Sequence, residues 1–416
     1  MNAVVPSKRQ IEFQDWEFGL FLHLGMYTYK EERDGPKYLH QNPSMFAPEE
    51  LDCDNWIRTA KEAGMRYAVL TCKHHEGFCL WPTEFGDYST KQSSWRDGKG
   101  DVVRDFTDAC HKYGLKVGVY YSPYDSATLL YGEDAKAYDD YFIGHMRELL
   151  GNYGTVDMVW FDGCHSESHV YDWDRIADEI HRLAPESLIF NMGKPDFRWV
   201  GNEYGLATLP TWNVVDKLSF SVQKSLDIDT LDDAMWLPAE CDCRMRLDSW
   251  GWSPDDEHTV KSVDELMGLY YYSVGRGCNM LLNIGPDRHG KLPDKDATRL
   301  EEFGKEIHRR FDQPIATIQD VEREDNRWTL KLPQRLLIDH VVLQEDIQFG
   351  EHIRAFEIQL PVSGNNFPKV TIYKGENVGH KAICRFPPIS AETMIINVTE
   401  ADGEVTMREI EFHYTG

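Results

Sequence analysis

The segment Val156-Asp157-Met158-Val159-Trp160-Phe161-Asp162-Gly163 decides how the rest of the chain is interpreted. Its hydrophobic run has the length of one buried strand, and Asp162 and Gly163 follow where that strand should end. A lone Asp-Gly pair is most often a turn. In a parallel barrel, however, catalytic side chains gather at the carboxyl ends of the strands. The segment therefore predicts a buried strand that ends on one exposed carboxylate.

Similar short apolar runs alternate with helical patterns from residue 18 to about residue 310. Apolar residues at three- and four-residue spacing, such as Val102, Phe106 and Ala109, predict the helices between them. Such alternation is typical of parallel strands joined by helical crossovers. No G-x-G-x-x-G loop follows the first strand, so a dinucleotide-binding fold has no support. We therefore predict a (β/α)8-like barrel over residues 1–312.

The predicted barrel strands are Phe18–Gly25, Arg66–Cys72, Leu115–Tyr121, Val156–Phe161, Leu188–Met192, Met235–Ala239 and Met280–Ile284. An eighth strand is expected between residues 205 and 235. After residue 313 the pattern changes to alternation of apolar and polar residues, as in Phe356, Ile358 and Leu360. Turn clusters such as Ser363-Gly364-Asn365-Asn366 separate these runs, so residues 313–416 are predicted to form an antiparallel β-sandwich.

Composition limits the partners that this protein can have. The formal net charge is −26, which argues against nucleic acid and anionic membranes, because both require a cationic surface. The sequence contains no run of about 18 apolar residues, so no membrane-spanning helix is expected. The nine cysteines include no C-x-x-C pair, which favours a reducing compartment. No apolar signal segment follows Lys8-Arg9, so we expect a cytoplasmic protein.

Polar side chains close several of the predicted strands, and a barrel would bring them to one mouth. They are His23, His74, His75, Tyr121, Asp162, Asn191, Glu240, Asp242 and Asn283, and the loop residue Glu203 joins them. Paired carboxylates with imidazoles and tryptophans suit glycoside cleavage. A retaining mechanism needs a carboxylate nucleophile and a second carboxyl group, about 5–5.5 Å away, that acts first as acid and then as base.

A barrel metallohydrolase is the alternative for the same residues. Its ligands would be His23, His74, His75 and Asp162. Adjacent residues on a strand point to opposite faces, so His74 and His75 form a poor chelating pair unless the strand has already ended. The H-x-H spacing that barrel metal sites favour does not occur in this chain. We therefore expect no metal and no other cofactor.

Several segments together resemble a known family. They are Phe18-Gly19-Leu20-Phe21-Leu22-His23-Leu24-Gly25, Lys73-His74-His75-Glu76-Gly77-Phe78-Cys79-Leu80-Trp81-Pro82, Tyr120-Tyr121-Ser122-Pro123, Trp160-Phe161-Asp162-Gly163 and Asn279-Met280-Leu281-Leu282-Asn283-Ile284-Gly285-Pro286. With these motifs the chain resembles the α-L-fucosidases of glycoside hydrolase family 29. The resemblance implies a retaining exo-glycosidase with a barrel and a C-terminal β-sandwich, acting on fucosylated oligosaccharides. Family habit also suggests a homo-oligomer.

The resemblance also implies roles for individual residues. Asp162 matches the family nucleophile. The expected sugar contacts are His23, His74, His75, Trp81, Tyr121, Trp160 and Glu240. The segment from Trp199 to Glu203 resembles the branch of the family specific for α-1,3/1,4 linkages, as does Trp236-Leu237-Pro238-Ala239-Glu240-Cys241-Asp242. Both segments favour Glu203 as the acid/base, with Glu240 as the runner-up.

Two departures from that branch concern the linkage rather than the reaction. Leu24 stands where an aromatic residue is usual, and the stretch from Arg244 to Trp252 lacks the usual continuation. An α-L-galactosidase of the same family is a further alternative, since it would need only room for a hydroxyl at C6 of the sugar.

Overall fold

The computed structural model describes residues 4–29, 41–219, 228–362 and 368–416. Its first unit is built on eight parallel strands. These are β1 (Phe18–Leu22), β2 (Tyr67–Lys73), β3 (Lys116–Tyr121), β4 (Met158–Phe161), β5 (Leu188–Phe190), β6 (Arg198–Trp199), β9 (Ala239–Arg244) and β10 (Asn279–Ile284), with the hairpin β7 (Val214–Ser219) and β8 (Ile228–Trp236) inserted before β9. The eight strands pair in the order β5-β4-β3-β2-β1-β10-β9-β6. A single bridge between Phe190 and Phe197 joins the two ends of the sheet, so the predicted (β/α)8-like barrel is confirmed.

The structure corrects two strand predictions. The eighth strand is β6, only two residues long, and does not lie between residues 205 and 235. The run Met235–Ala239 is not a barrel strand, because Met235 and Trp236 end the hairpin and the barrel strand begins at Ala239. Period-based reasoning cannot detect a two-residue strand. It also overlooked β9, because three of its six residues are charged.

Seven α-helices accompany the strands within the described residues. They are α1 (Lys8–Trp16), α2 (Cys53–Glu62), α3 (Val102–Tyr113), α4 (Ala135–Gly151), α5 (Trp173–Leu183), α6 (Val263–Tyr272) and α7 (Asp294–Phe311). Helix α3 shows how the sequence sets their ends. Asp101 caps its first turn by accepting a hydrogen bond from the backbone N–H of Arg104 (2.8 Å), and Gly114 ends it in the left-handed conformation (φ 69°). None of the described helices is long and apolar enough to cross a membrane.

Aromatic side chains fill the inside of the barrel and close its lower end. Phe13 of α1 packs against Phe197 (ring centroids 4.4 Å apart) and Tyr67 (6.4 Å). Above them, Trp160 stacks on Phe190 at 4.0 Å. This packing leaves only the end at the carboxyl termini of the strands open, and the polar side chains collect there.

The C-terminal unit is antiparallel, as predicted. Its strands are β11 (Ala316–Thr317), β12 (Val321–Glu324), β13 (Arg327–Glu345), β14 (Ile353–Pro361), β15 (Lys369–Gly375), β16 (Ala382–Ala401) and β17 (Met407–His413). The long strands β13 and β16 pair along most of their length, with irregularities after Lys331 and after Ile338. Buried residues such as Trp328, Ile358 and Phe412 form one core between the two halves of this sheet. Helix α7 ends at Phe311 and β11 begins at Ala316, and the predicted division at residue 312 lies between them.

Candidate active site

A cavity of about 620 Å³ opens at the carboxyl ends of the barrel strands. Eight of the residues predicted for the site line it: His23, His74, His75, Trp160, Asp162, Asn191, Glu203 and Asp242. They come from the carboxyl-terminal parts of five strands, or the residues just after them, and from one loop, and the barrel brings them together from across about half of the chain. The cavity is the candidate active site.

Asp162 follows directly after β4 and is held from several sides. Its Oδ2 accepts a hydrogen bond from the Tyr120 hydroxyl (2.7 Å), and its Oδ1 accepts one from the backbone N–H of Cys164 (2.9 Å). His75 Nε2 lies 3.4 Å from Oδ2. Burial alone would raise the pKa of this carboxyl, but His75 and the two donors outweigh it and lower the pKa well below its usual range. Asp162 is therefore an ionised carboxylate in fixed orientation, the form that a nucleophile requires.

Three histidines, His23, His74 and His75, lie around this carboxylate. Asn283 Nδ2 donates to His23 Nδ1 (2.8 Å), which leaves the proton of His23 on Nε2. Burial, followed by the charge of His74, lowers the pKa of His23 far below its usual range and that of His75 to about 4. Near neutral pH these two imidazoles are uncharged. His23 can donate a hydrogen bond from Nε2 to a sugar hydroxyl, whereas the ring nitrogens of His75 lie against Ser122 Oγ (2.6 Å) and Asp162 Oδ2 (3.4 Å).

His74 and His75 both reach the cavity although they are adjacent in sequence. Strand β2 ends at Lys73, so the alternation of faces no longer applies to them, and their ring centroids lie 4.3 Å apart. Ligand atoms of His74, His75 and Asp162 all lie within 4.8 Å of one another, a donor set that would fit a metal ion. Both oxygens of Asp162 already accept hydrogen bonds from the protein, which favours a metal-free carboxylate over a metal ligand. Activity measured with and without a chelator distinguishes the two alternatives.

The structure places two predicted sugar contacts away from the cavity. Tyr121 is buried on the outer face of β3, where its hydroxyl bonds His145 Nδ1 (2.9 Å). Trp81 is also buried, and its Nε1 donates to Glu148 of α4 (2.7 Å). Neither residue lines this pocket. Tyr121 points away from it because alternate residues of a strand face opposite sides, and Trp81 lies away from it because the loop after β2 packs against α4. Tyr120, which sequence reasoning passed over for its neighbour, holds the position inside the barrel.

We expect Tyr120→Phe to lower kcat/KM for an aryl α-L-fucoside by roughly tenfold to a hundredfold, since it removes a hydrogen bond to a charged group. Tyr121→Phe is the matched control, and its activity should stay within about twofold of wild type because that hydroxyl faces α4. Steady-state kinetics on the three proteins decide this, and equal activity of the two variants would contradict the placement of Tyr120.

Glu240 also lies outside the cavity, one layer deeper in the barrel. The carboxyl is buried, and it accepts hydrogen bonds from the Tyr67 hydroxyl and from Trp160 Nε1, both at 2.7 Å. The prediction that it lines the pocket is therefore wrong. Trp160 lines the cavity and donates to Glu240, so Glu240 lies behind the cavity wall and does not reach the cavity itself.

Burial raises the pKa of Glu240 from 4.5 to about 7, although its two hydrogen bonds lower it. A carboxyl group with a raised pKa in the folded state gives stability that is present below the unfolded pKa and is lost as pH rises through the folded pKa. The folded protein should thus lose stability between pH 4.5 and 7, by up to about 1.4 kcal/mol per pH unit for this one group.

Glu240→Gln, which cannot ionise, should remove that loss. The free energy of unfolding of wild type and of Glu240→Gln is measured with denaturant across this pH range. The contributions of the other titrating groups cancel in the difference between the two proteins. We expect the variant to gain stability relative to wild type as pH rises. Parallel pH dependences would show that Glu240 does not titrate in this window.

Glu203 lies across the same cavity, on an exposed loop after β6. Trp250 Nε1 donates to its Oε2 at 3.3 Å. Nearby, Trp199 Nε1 donates to Asp242 Oδ1 (2.7 Å), and burial, opposed by this bond but reinforced by the charge of Glu203, raises the pKa of Asp242 well above its usual value. Asp242 therefore holds its proton more readily than an ordinary aspartate does.

Sequence reasoning also missed Arg244 and Trp250. The Arg244 guanidinium lies over the Trp250 ring (5.5 Å), and both line the cavity. The signal for Arg244 was present, since Glu240, Asp242 and Arg244 occupy alternate positions of β9 and therefore face the same side. Trp250 lies in the irregular stretch after β9, where no period indicates its direction.

The chain is similar to known proteins over most of its length. The family model described as alpha-L-fucosidase matches residues 3–310. Alpha-L-fucosidase 1 of Arabidopsis thaliana is 32% identical over 421 residues, covering 92% of this chain and 82% of that protein. The crystal structure of a glycoside hydrolase 29 family member from an unknown rumen bacterium is similar at a TM-score of 0.89 and 30% identity, covering 100% of this chain and 78% of that one.

A fucosidase of the same family from Ruminococcus gnavus, solved in complex with fucose, is similar at a TM-score of 0.87 and 25% identity, covering 99% of this chain and 95% of that one. The family match extends over the whole barrel, and the structural similarity continues through the C-terminal unit. The chain therefore belongs to the alpha-L-fucosidases of glycoside hydrolase family 29.

Proposed function

We propose that the protein removes terminal L-fucose joined by α-1,3 or α-1,4 linkages to N-acetylglucosamine, with retention of configuration at the anomeric carbon. The observation that carries the proposal is the arrangement around Asp162. This carboxylate is ionised and fixed by Tyr120, the N–H of Cys164 and His75, and Glu203 lies across the same cavity.

In the proposed reaction, Asp162 attacks the anomeric carbon while Glu203 gives a proton to the glycosidic oxygen. The bond to the leaving sugar breaks and a fucosyl–Asp162 ester forms. Glu203, now a carboxylate, takes a proton from water, and the resulting hydroxide displaces Asp162 to release fucose. The neutral imidazole of His23 binds a sugar hydroxyl through Nε2, and this bond strengthens as positive charge develops on the sugar ring, while His75 holds the nucleophile.

The position of Glu203 supports its role at the leaving-group side. The residue is exposed at the rim of the cavity, where the remainder of an oligosaccharide would extend into solvent. The N–H of Trp250 holds the carboxyl group at that rim, and the ring of Trp199, which also lines the cavity, offers a surface for the next sugar. The segment that carries Glu203 resembles the α-1,3/1,4 branch, which supports the linkage.

The test is release of L-fucose from an α-1,3-fucosylated N-acetylglucosamine and from an α-1,2-fucosylated galactoside, side by side, each with and without a chelator. We expect turnover of the first substrate only, unaffected by the chelator. Equal or faster release of fucose from the α-1,2-fucosylated galactoside would overturn the proposed linkage preference. Loss of activity with chelator, restored by adding a divalent metal, would show that His74, His75 and Asp162 hold an ion.

The α-L-galactosidase alternative is tested on aryl glycosides. An aryl α-L-galactoside differs from the fucoside only in the hydroxyl at C6, so the ratio of the two kcat/KM values reports how the pocket treats that position. We expect the fucoside to be the better substrate, and the reverse order would favour the galactosidase.

A further inference from the structure

A second cavity, of about 240 Å³, lies where helix α6 of the barrel meets strands β14, β15 and β16 of the C-terminal unit. Its charge is opposite to that of the chain as a whole. The protein has 70 acidic and 44 basic residues, yet none of the described residues that line this cavity is acidic. Three basic residues line it: Arg276, Lys381 and Arg385.

Two of these cations have no carboxylate partner among the residues that the structure describes. Lys381 forms an ion pair with Glu17, but within the described ranges no acidic side chain lies at ion-pair distance from Arg276 or Arg385. Arg276 donates to the carbonyl oxygen of Ala207 and lies over the ring of Tyr272 (4.5 Å), and Arg385 lies 5.8 Å from the ring of Tyr271. In a protein with a net charge of −26, two such guanidinium groups at one cavity favour a negatively charged ligand.

A glycine within helix α6 faces the cavity, and packing against neighbouring residues does not require a glycine at that position. Gly268 lies in the interior of this helix, where glycine is less favourable than alanine. A Cβ atom at Gly268 would meet nothing within 4 Å. By contrast, a Cβ atom at Gly375, on another wall, would lie 2.2 Å from the ring of Phe356, so that glycine is required by packing. The open position at Gly268 keeps the cavity wide.

The remaining residues that line the cavity indicate what the uncharged part of such a ligand could be. Four aromatic rings line the cavity, from Tyr271, Tyr272, Phe356 and Tyr373. Such rings pack well against the C–H faces of a sugar ring, here through the surfaces that His340 on Tyr271 (ring centroids 5.5 Å apart) and Arg276 on Tyr272 leave uncovered. The volume lies below the roughly 300 Å³ of the smallest drug-sized pockets, so a single ring fits and an oligosaccharide does not.

We propose that this cavity is a second ligand site, which binds a monosaccharide-sized molecule carrying one anionic group such as a phosphate or a sulfate. Arg276 and Arg385 would hold the anionic group through charge-assisted hydrogen bonds, and the tyrosine rings would hold the sugar. The site lies between the barrel and the C-terminal unit, separate from the cavity that contains Asp162, so it does not depend on the proposed linkage or mechanism.

The test is isothermal titration calorimetry on the full chain, with L-fucose present at saturation to fill the catalytic cavity. Glucose 6-phosphate, inorganic phosphate and glucose are titrated separately. We expect glucose 6-phosphate to bind at one site per chain and at least about tenfold more tightly than either fragment, because it alone uses both the guanidinium groups and the rings. Inorganic phosphate binding as tightly would overturn the sugar part of the proposal.

Gly268→Glu places both bulk and a negative charge in the cavity and should weaken the binding of glucose 6-phosphate by at least about tenfold. Gly151→Glu is the matched control, since Gly151 also lies in a helix and also faces open space, but on α4. Hydrolysis of an aryl fucoside by both variants verifies that they are folded. Arg385→Gln should weaken binding without filling the cavity. The proposal is overturned if glucose 6-phosphate does not bind at millimolar concentrations, or if its binding survives both Gly268→Glu and Arg385→Gln.

Discussion

Replacing Asp162 with alanine is expected to lower kcat on an aryl α-L-fucoside by at least about 10³-fold, which corresponds to about 4 kcal/mol of lost transition-state stabilisation. The expectation rests on the environment of the carboxylate. Tyr120, Cys164 and His75 hold it ionised and oriented at the end of β4. Alanine leaves these groups in place but removes the only atom proposed to bond the anomeric carbon.

Asp162→Asn is the matched variant, because it keeps the shape and removes the charge. Both variants should fold and lose activity to this extent. A 2-fluorinated fucosyl fluoride, which slows the second step, should attach covalently to the wild-type peptide that contains Asp162, as seen by mass spectrometry. Near-normal turnover by Asp162→Ala, or a label on another residue, would refute the assignment.

The second large effect concerns Glu203. Glu203→Ala should lower kcat/KM on a fucosylated oligosaccharide by about 10²- to 10⁴-fold, the usual contribution of general acid–base catalysis. The loss should be smaller for an aryl fucoside, whose leaving group needs little help from an acid. Azide should restore turnover of the aryl fucoside, because it attacks the fucosyl–enzyme without a general base and gives a fucosyl azide of retained configuration.

Glu240→Ala is the control for this experiment. Glu240 lies beneath Trp160 and outside the cavity, so azide should not increase the activity of that variant. If azide restored the activity of Glu240→Ala but not that of Glu203→Ala, Glu240 and not Glu203 would be the acid/base. It would also mean that Trp160 moves away during the reaction.

The sequence predicted the features that rest on long periodic segments and on strand ends. Runs such as Met158–Phe161 are apolar throughout because both faces of a parallel strand are buried, so they are easy to find. The carboxyl ends of such strands meet at one mouth, which is why Asp162 and the three histidines came together as expected.

The errors have physical causes. Strand β6 is too short to show a period, and the charged residues of β9 face inward where apolar residues are usual. Tyr120 and Tyr121 are chemically identical, and only the phase of β3 decides which of them faces the sugar. The burial of Glu240 depends on two distant partners, Tyr67 and Trp160, whose proximity no local pattern reveals.

The two proposed catalytic carboxyl groups are supported very differently by the barrel. Asp162 extends from β4, which is paired on both sides, whereas Glu203 follows the two-residue strand β6 at the seam that the Phe190–Phe197 bridge closes. Insertions and deletions after β6 would therefore alter the surroundings of the acid/base while leaving the nucleophile untouched. Within one lineage of enzymes, the identity of the cleaved sugar can stay constant while the group it is cleaved from diversifies, because separate parts of the chain specify the two.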